Sequence, residues 1–268
     1  MRDCAATDPR TGERLSFHTL IAEAIAALKP EIALFQEIQE DDEKGGDIAL
    51  LSAALAKAGW AMPYLATVET GGQDDLAIFS RLPLSAQGSV LEPRSADPWP
   101  RPGQKAIVDW GSKRLIVYNL HLKAMSDAES ERARKAQAAA LAAVILGSGA
   151  EGLKESYILI GGDFNTTNPG DRDSPGSTLG LMAMKADTDP GNDFSDPVEE
   201  LRPQVPTFVD TRYRSILDHI LLSPAAARAL VPGSLRIVED LPKAGAIPLS
   251  DHRPVLVDLA SAPHTPKP

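Results

Sequence analysis

The sequence predicts a single α/β domain built on a mixed sheet, with helices outside the strands. Three observations carry this expectation. Short apolar runs alternate with helix-length amphipathic segments along all 268 residues. Two of those runs, 105–110 and 114–120, flank Gly111-Ser112-Lys113, a hairpin signal that an all-parallel sheet does not allow. No internal repeat and no linker divides the chain.

The elements follow in order. Phe17, Leu20, Ile21, Ala24, Ile25 and Leu28 recur at helical spacing behind Ser16, a suitable N-cap, and Lys29-Pro30 stops that helix. Residues 31–36 (EIALFQ) read as a buried strand, and 47–58 as a second helix closed by Gly59. A strand over 76–80 ends at Arg81-Leu82-Pro83. Residues 127–146, rich in Ala, Glu, Arg and Lys, read as a long helix. A strand over 157–161 leads into a loop, 165–176, rich in Gly, Pro and Asp. Strands over 216–222, 235–238 and 255–259 complete the set. The expected boundaries are a polar N-terminal segment over 1–15, the domain over 16–260, and a frayed tail over 261–268 that carries three prolines.

Composition narrows the chemistry. With 27 Lys+Arg against 37 Asp+Glu the net charge is −10, which argues against nucleic-acid binding through a broad basic surface. A small metal-containing phosphate site is untouched by that argument. One cysteine, Cys4, excludes an internal disulfide framework and a cysteine-based zinc module. No apolar run approaches the ~20 residues of a membrane span, and residues 1–14 carry no signal-peptide core. A monomer is expected.

Polar residues collect at strand ends: Glu37 after IALFQ, His121 after 114–120, Asp163 and Asn165 after YILIGG, Asp218 within 216–222, and Asp251-His252 before the last strand. Each has an ordinary reading alone. Glu37 fits a solvated turn, Asp163 and Asn165 fit an Asx turn, and Asp218 fits an arginine partner. Together they are chemically coherent. Carboxylate oxygens suit a hard cation such as Mg²⁺, histidine moves protons near neutral pH, and a neighbouring carboxylate orients it. Metal-assisted phosphoester hydrolysis uses that combination.

The motifs FQE (35–37), YNLHLK (118–123), GGDFN (161–165), LDHILLS (217–223) and LSDHRP (249–254) resemble, in order, those of the endonuclease/exonuclease/phosphatase superfamily. The group includes pancreatic-type deoxyribonucleases, apurinic endonucleases, neutral sphingomyelinases and inositol-polyphosphate 5-phosphatases. The resemblance implies a four-layer α/β/β/α sandwich of two mixed sheets with outer helices. It also implies roles for residues of this chain. Glu37 would be the principal metal ligand, with Asp251 helping directly or through water. Asp163 would activate the attacking water or hydroxyl, Asn165 would hold a phosphate oxygen, and His121 would donate to the scissile phosphate. His252 would be the general acid/base, oriented by Asp218. The implied cofactor is Mg²⁺ or Mn²⁺. The implied partner is a phosphoester, whether nucleic acid, phospholipid head group or small molecule.

Secondary candidates are Lys105 as a phosphate contact, Asp74 or Asp75 as support for His121, and Arg94, Trp99 and Arg101 in a Pro-rich connector. Arg81 and His219 read as packing residues and Asn119 as a strand residue. His18 and His264 read as surface residues, and Arg132, Arg134 and Lys135 as a solvated helix face. One departure stands out. The family opens with a strand ending in Trp-Asn, and residues 1–15 supply no apolar strand followed by Asn. A first strand missing from this chain, with Met1 an internal start, is the expectation. The alternative function is a catalytically inactive or truncated family member that acts as a binding protein.

Overall fold

The computed structural model describes residues 6–7, 14–38, 46–71, 74–147, 153–166, 174–241, 243–244 and 247–260. The expected tail 261–268, most of the segment 1–15 and residues 167–173 of the expected loop lie outside the described residues.

A short ladder, β1 (Ala6–Thr7) with β2 (Arg14–Leu15), precedes α1 (Phe17–Leu28) and joins neither main sheet. The Ser16 hydroxyl accepts from Thr19 N at the start of α1, and Lys29 closes it in the left-handed region at φ 55°. Then come β3 (Ile32–Ile38), α2 (Asp47–Lys57), β4 (Tyr64–Val68), β5 (Asp75–Ser80), β6 (Leu84–Val90), β7 (Gly103–Trp110) and β8 (Lys113–His121). The second half holds α3 (Ala128–Gly147), β9 (Tyr157–Asp163), α4 (Thr178–Met182), α5 (Pro197–Glu200), β10 (Phe208–Val209), β11 (Arg214–Ser215), β12 (Asp218–Leu222) and α6 (Pro224–Ala229). Four two-residue strands follow: β13 (Arg236–Ile237), β14 (Lys243–Ala244), β15 (Ile247–Pro248) and β16 (Val255–Leu256).

One main sheet has five strands in the order β12-β9-β8-β7-β6, the other three in the order β3-β5-β4. Among the described residues only β8 and β9 run parallel, joined through α3, the long crossover that a parallel pair requires. Period-two alternation assigns the faces. On β5, Ile78 packs between the sheets with Ala66, Ala106, Val108 and Val117, while Ala77 and Phe79 face α1 and α2 through Ile25, Leu51 and Leu55. On the five-stranded sheet, Leu115 and Val117 point inward; Tyr118, Leu120, Ile158 and Ile160 meet Ala138, Leu141 and Ile145 of α3 and Leu179 and Met182 of α4. The expected four-layer α/β/β/α sandwich is therefore the observed one. Leu141 is fully buried in the outer layer, where truncation to Ala costs about 2–5 kcal/mol.

The sequence differs from the structure at several boundaries. Trp110 pairs with Lys113, so the β7–β8 turn is two residues, Gly111-Ser112, with Gly111 at φ 63° as a tight primed turn requires. The expected strand 255–259 shortens to Val255–Leu256 plus a single bridge at Leu259, because its partner β13 is itself only two residues. Strands β4 and β6 were not anticipated. β6 (LSAQGSV) is an edge strand with mostly exposed side chains, so it carries no alternating apolar signal.

A chain of buried amides fastens the two sheets beneath the strand ends. Gln36 Nε2 donates to Asn119 Oδ1 at 2.6 Å. Asn119 Nδ2 donates to Phe35 O and to Gln104 Oε1, both at 3.0 Å, and Gln104 Nε2 to Ala66 O at 2.8 Å. Asn119 is thus a strand residue with a structural task, tying FQE to YNLHLK.

Candidate active site

Three adjacent strands deliver a row of polar side chains to one end of the larger sheet. His121 is in register with Asp163 across β8–β9, and Asp163 with Asp218 across β9–β12. The double glycine before Asp163 permits the approach. Gly162 sits at φ +136°, and a Cβ there would lie 2.0 Å from the Leu120 carbonyl oxygen. A Cβ on Gly161 would lie 2.8 Å from Leu34 Cδ1 on the facing sheet.

His252 reaches this row from the loop before β16. Its Nδ1 donates to the Asp218 carboxylate, at 2.9 Å from Oδ2 and 3.0 Å from Oδ1. Its ring packs on Phe208 at 5.1 Å between centroids, and the two residues share a β-bridge. Nε2 of His252 then faces Asp163 Oδ2 at 3.8 Å, and Nε2 of His121 faces the same oxygen at 3.7 Å. Ligand atoms of Asp163, Asp218 and His252 all lie within 4.8 Å of one another.

Glu37 and Asp251, the expected metal ligands, stand outside that group of three. Glu37 sits at an irregularity of β3 with φ 55°, and its exposed carboxylate is 3.6 Å from His121 Nε2. Asp251 is exposed beside His252, its carbonyl accepting from Val209 N at 2.8 Å. Asn165, at φ 49°, closes an Asx turn: its N–H donates to Asp163 Oδ1 at 2.8 Å. Its Nδ2 donates to Asp163 Oδ2 at 3.0 Å and to Leu122 O at 3.1 Å, so both amide hydrogens are engaged.

The electrostatics separate the two histidines. Burial, then the nearby Arg101 charge, lowers His121 to about 4, so it is neutral at neutral pH. Burial also opposes charge on His252, but the Asp218 hydrogen bond and charge, then Asp163 and Asp251, push it up to about 9. Burial and the Asp218 carboxylate raise Asp163 to about 7, against the pull of His252 and the Asn165 N–H. A cation held against Asp163 would favour its carboxylate form.

The secondary candidates fall in several different places. Arg101 leaves the connector to donate to Leu122 O at 3.1 Å and to pair with Asp74, whose charge still acts on His121 and opposes its lowering. Asp75 accepts from Thr70 N at 2.9 Å, and Nδ1 of His121 has no hydrogen-bond partner among the described residues. Lys105 lies 5.6 Å over the Tyr118 ring. Arg134 is buried rather than solvated: its Nη1 donates to the carbonyls of Lys123 and Met125, pinning the loop after His121. His18 is tucked between α1 and α2, 2.7 Å from Asp47 Oδ1. Arg81 stacks on Trp60 at 3.9 Å, a structural role as expected. His264 lies outside the described residues.

This sandwich, with its row of acids and imidazoles at the strand ends, defines a class. The chain belongs to the endonuclease/exonuclease/phosphatase family, whose profile matches residues 11–252. No curated protein is similar enough to count as a relative. Among solved structures, the chain is similar to an endonuclease/exonuclease/phosphatase protein from Beutenbergia cavernae (18% identity, 98% of this chain and 71% of that one, TM-score 0.65). It is similar to TDP2 from Caenorhabditis elegans (16% identity, 92% and 68%, TM-score 0.63). It is also similar to the 3′ phosphatase NExo from Neisseria bound to a product DNA hairpin (21% identity, 89% and 92%, TM-score 0.59). No helix of the described residues is long and apolar enough to cross a membrane.

Proposed function

We propose that this protein is a phosphoester hydrolase that works with Mg²⁺ or Mn²⁺. The observation that carries the reading is Asp163 Oδ2 flanked by two imidazole Nε2 atoms, at 3.7 and 3.8 Å, within a set of carboxylates. The donor chemistry fits a hard divalent ion: Glu37, Asp163, Asp218 and Asp251 offer oxygen ligands, and Mg²⁺ takes one or two carboxylates with substrate phosphate and water. Glu37, with Asp251 directly or through water, would hold the ion. Once bound, a divalent ion supplies charge stabilisation on the phosphoryl oxygens.

The residues divide the remaining work. Asp163, held by Asn165, takes the proton of the attacking water or hydroxyl. Asn165 aligns this carboxylate first; a contact to phosphate requires its amide to exchange one present acceptor. His121, neutral and buried, donates from Nε2 to a non-bridging oxygen. His252, protonated at neutral pH and fixed by Asp218, protonates the leaving oxygen.

For the substrate, the β10–β11 hairpin is informative. Its turn carries exposed Arg212 and Tyr213, exposed Arg214 opens β11, and Asp210 Oδ1 holds the turn by accepting from Arg212 N at 2.6 Å. Phe208 and Val209 join the hairpin to His252 and Asp251. Two exposed arginines and an exposed tyrosine on a hairpin joined to His252 favour a nucleotide phosphoester over a lipid head group. NExo, which binds a DNA product, is one structural neighbour.

The test is metal-dependent hydrolysis of bis-p-nitrophenyl phosphate, 3′-phosphorylated oligonucleotide, plasmid DNA and phospholipid by the full chain, with Asp163→Ala and His252→Ala. Loss of Mg²⁺-dependent turnover in both variants is expected. Turnover by wild type that survives both substitutions, or no turnover on any substrate, overturns the reading in favour of a binding protein.

A further inference from the structure

A second carboxylate–imidazole pair lies behind the first. Along residues 163–166, alternate side chains go opposite ways: Asp163 and Asn165 enter the site, while Phe164 and Thr166 go into the protein. Both of the latter land on His219. The His219 ring stacks on Phe164, with centroids 5.4 Å apart and planes 18° apart. Its Nε2 is 3.0 Å from Thr166 Oγ1, and its Nδ1 is 2.7 Å from Asp196 Oδ2. The His219 side chain is fully buried.

Asp196 is itself held. Its Oδ1 caps α5, accepting from Val198 N at 3.1 Å, and Ser195 exchanges two 2.9 Å backbone hydrogen bonds with Leu222 of β12. A buried imidazole bonded at both nitrogens is a rigid strut. Since Nδ1 donates to the carboxylate, Nε2 can accept from the Thr166 hydroxyl or donate to it, so the strut holds in either protonation state.

We propose that His219 is a positioning residue for the Asp163–Asn165 turn, acting through Thr166 and Phe164 and anchored by Asp196. This rests on the hydrolase reading for its kinetic consequence but not for its geometric one. Asn165 occupies the left-handed region, where its neighbours must hold the backbone. Thr166 and Phe164 are those neighbours, and His219 holds both. A packing residue would need only its ring; a positioning residue needs both nitrogens.

Three variants separate these roles in the full chain. Thr166→Val removes only the hydroxyl, His219→Phe keeps a ring on Phe164 but loses both polar contacts, and Thr166→Ser restores the hydroxyl. The measurements are kcat and KM on bis-p-nitrophenyl phosphate at saturating Mg²⁺, Mn²⁺ affinity by electron paramagnetic resonance, and the thermal midpoint. Loss of a partner that orients a site ligand typically lowers activity or metal affinity about 10-fold or more. The expected result is a fall of that size in kcat for Thr166→Val and His219→Phe with KM nearly unchanged, weaker Mn²⁺ binding, and recovery in Thr166→Ser. Wild-type kcat and Mn²⁺ affinity in both variants, with only the thermal midpoint lowered, would reduce His219 to packing. If the wild type hydrolyses nothing, the hydrolase reading fails, and Mn²⁺ affinity across the same variants decides this one; no Mn²⁺ binding by wild type overturns both.

Discussion

Nδ1 of His252 lies 2.9 Å from Oδ2 of Asp218, and that bond aims the opposite nitrogen at Asp163, one strand over. Asp218 therefore does two things at once: it sets the direction of His252 and holds it protonated.

The first prediction follows from this pairing. Asp218→Asn keeps a hydrogen-bond acceptor but removes the charge that raises His252 to about 9. A free histidine titrates near 6.5, so an acid that must be protonated fails at lower pH in the variant. The alkaline limb of the kcat/KM profile should move toward neutrality, with the metal concentration held saturating throughout. A limb that stays in place would mean that another group donates the proton.

Stability of the metal-free protein should fall between about pH 6.5 and 9. The folded state raises His252, so its contribution is complete below the unfolded value near 6.5 and is lost as pH rises through 9. Asp163, raised to about 7, works in the same direction over about pH 4 to 7, because the folded state holds its proton more tightly. His121, lowered to about 4, works the opposite way between about 4 and 6.5 and offsets Asp163 there. Urea midpoints in EDTA across that range measure this. A stability that climbs from pH 7 to 9 would contradict it. Added Mg²⁺ should stabilise more at pH 8 than at pH 6, since the ion then no longer competes with the Asp163 proton; at 100 times Kd the gain is about 2.7 kcal/mol.

Much of this site was legible because its residues fall at strand ends within short motifs. Asp218 and His252, 34 positions apart, were paired by the family resemblance and not by any local pattern, and the structure brings them into contact. Arg134 was misread because a charged residue in a helix suggests solvent. Its position was the overlooked signal: 130, 133, 134, 137, 138, 141 and 145 form the buried stripe of α3, and Arg134 lies on it. His219 was read as packing because it falls at an aromatic position of the family motif, and its partners, Thr166 and Asp196, are 53 and 23 positions away. No local pattern reports contacts at such separations. Arg101 was hidden for the same reason, in a connector whose composition indicates only irregular chain.

Arg101 carries the third prediction. Its charge is the second cause, after burial, of the low value of His121, and its guanidinium lies between Asp74 and the Leu122 carbonyl. Arg101→Met keeps the aliphatic stem and removes the charge. The His121 ring should then titrate at higher pH, visible as a shift of its Cε1–H resonance. The acid limb of activity should rise with it, since a protonated His121 repels the metal. An unchanged His121 titration would show that burial alone sets it.

The last prediction concerns the backbone that makes the site possible. Gly162→Ala asks an L-residue to hold φ +136° and to fit a methyl 2.0 Å from the Leu120 carbonyl oxygen, one pair short of the end of the β8–β9 parallel ladder. The left-handed region alone costs of order 1–3 kcal/mol. The methyl cannot be accommodated by rotating a side chain, because the obstructing atoms are the Leu120 backbone. β9 must therefore move away from β8, which separates His121 from Asp163, the pair in register at the ends of those strands. Gly161→Ala crowds Leu34 Cδ1 at 2.8 Å, the end of a flexible side chain, with Leu159 Cδ2 at 3.4 Å and the His219 carbonyl oxygen at 3.8 Å, so its effect should be smaller. Thermal unfolding of both variants, with activity measured on the fraction that remains folded, tests the distinction. Gly162→Ala should lose stability by about 3 kcal/mol or more and lose turnover even when folded, and Gly161→Ala should keep most of both. Equal loss in the two variants would mean that the close approach of β8 and β9 does not depend on a glycine at 162.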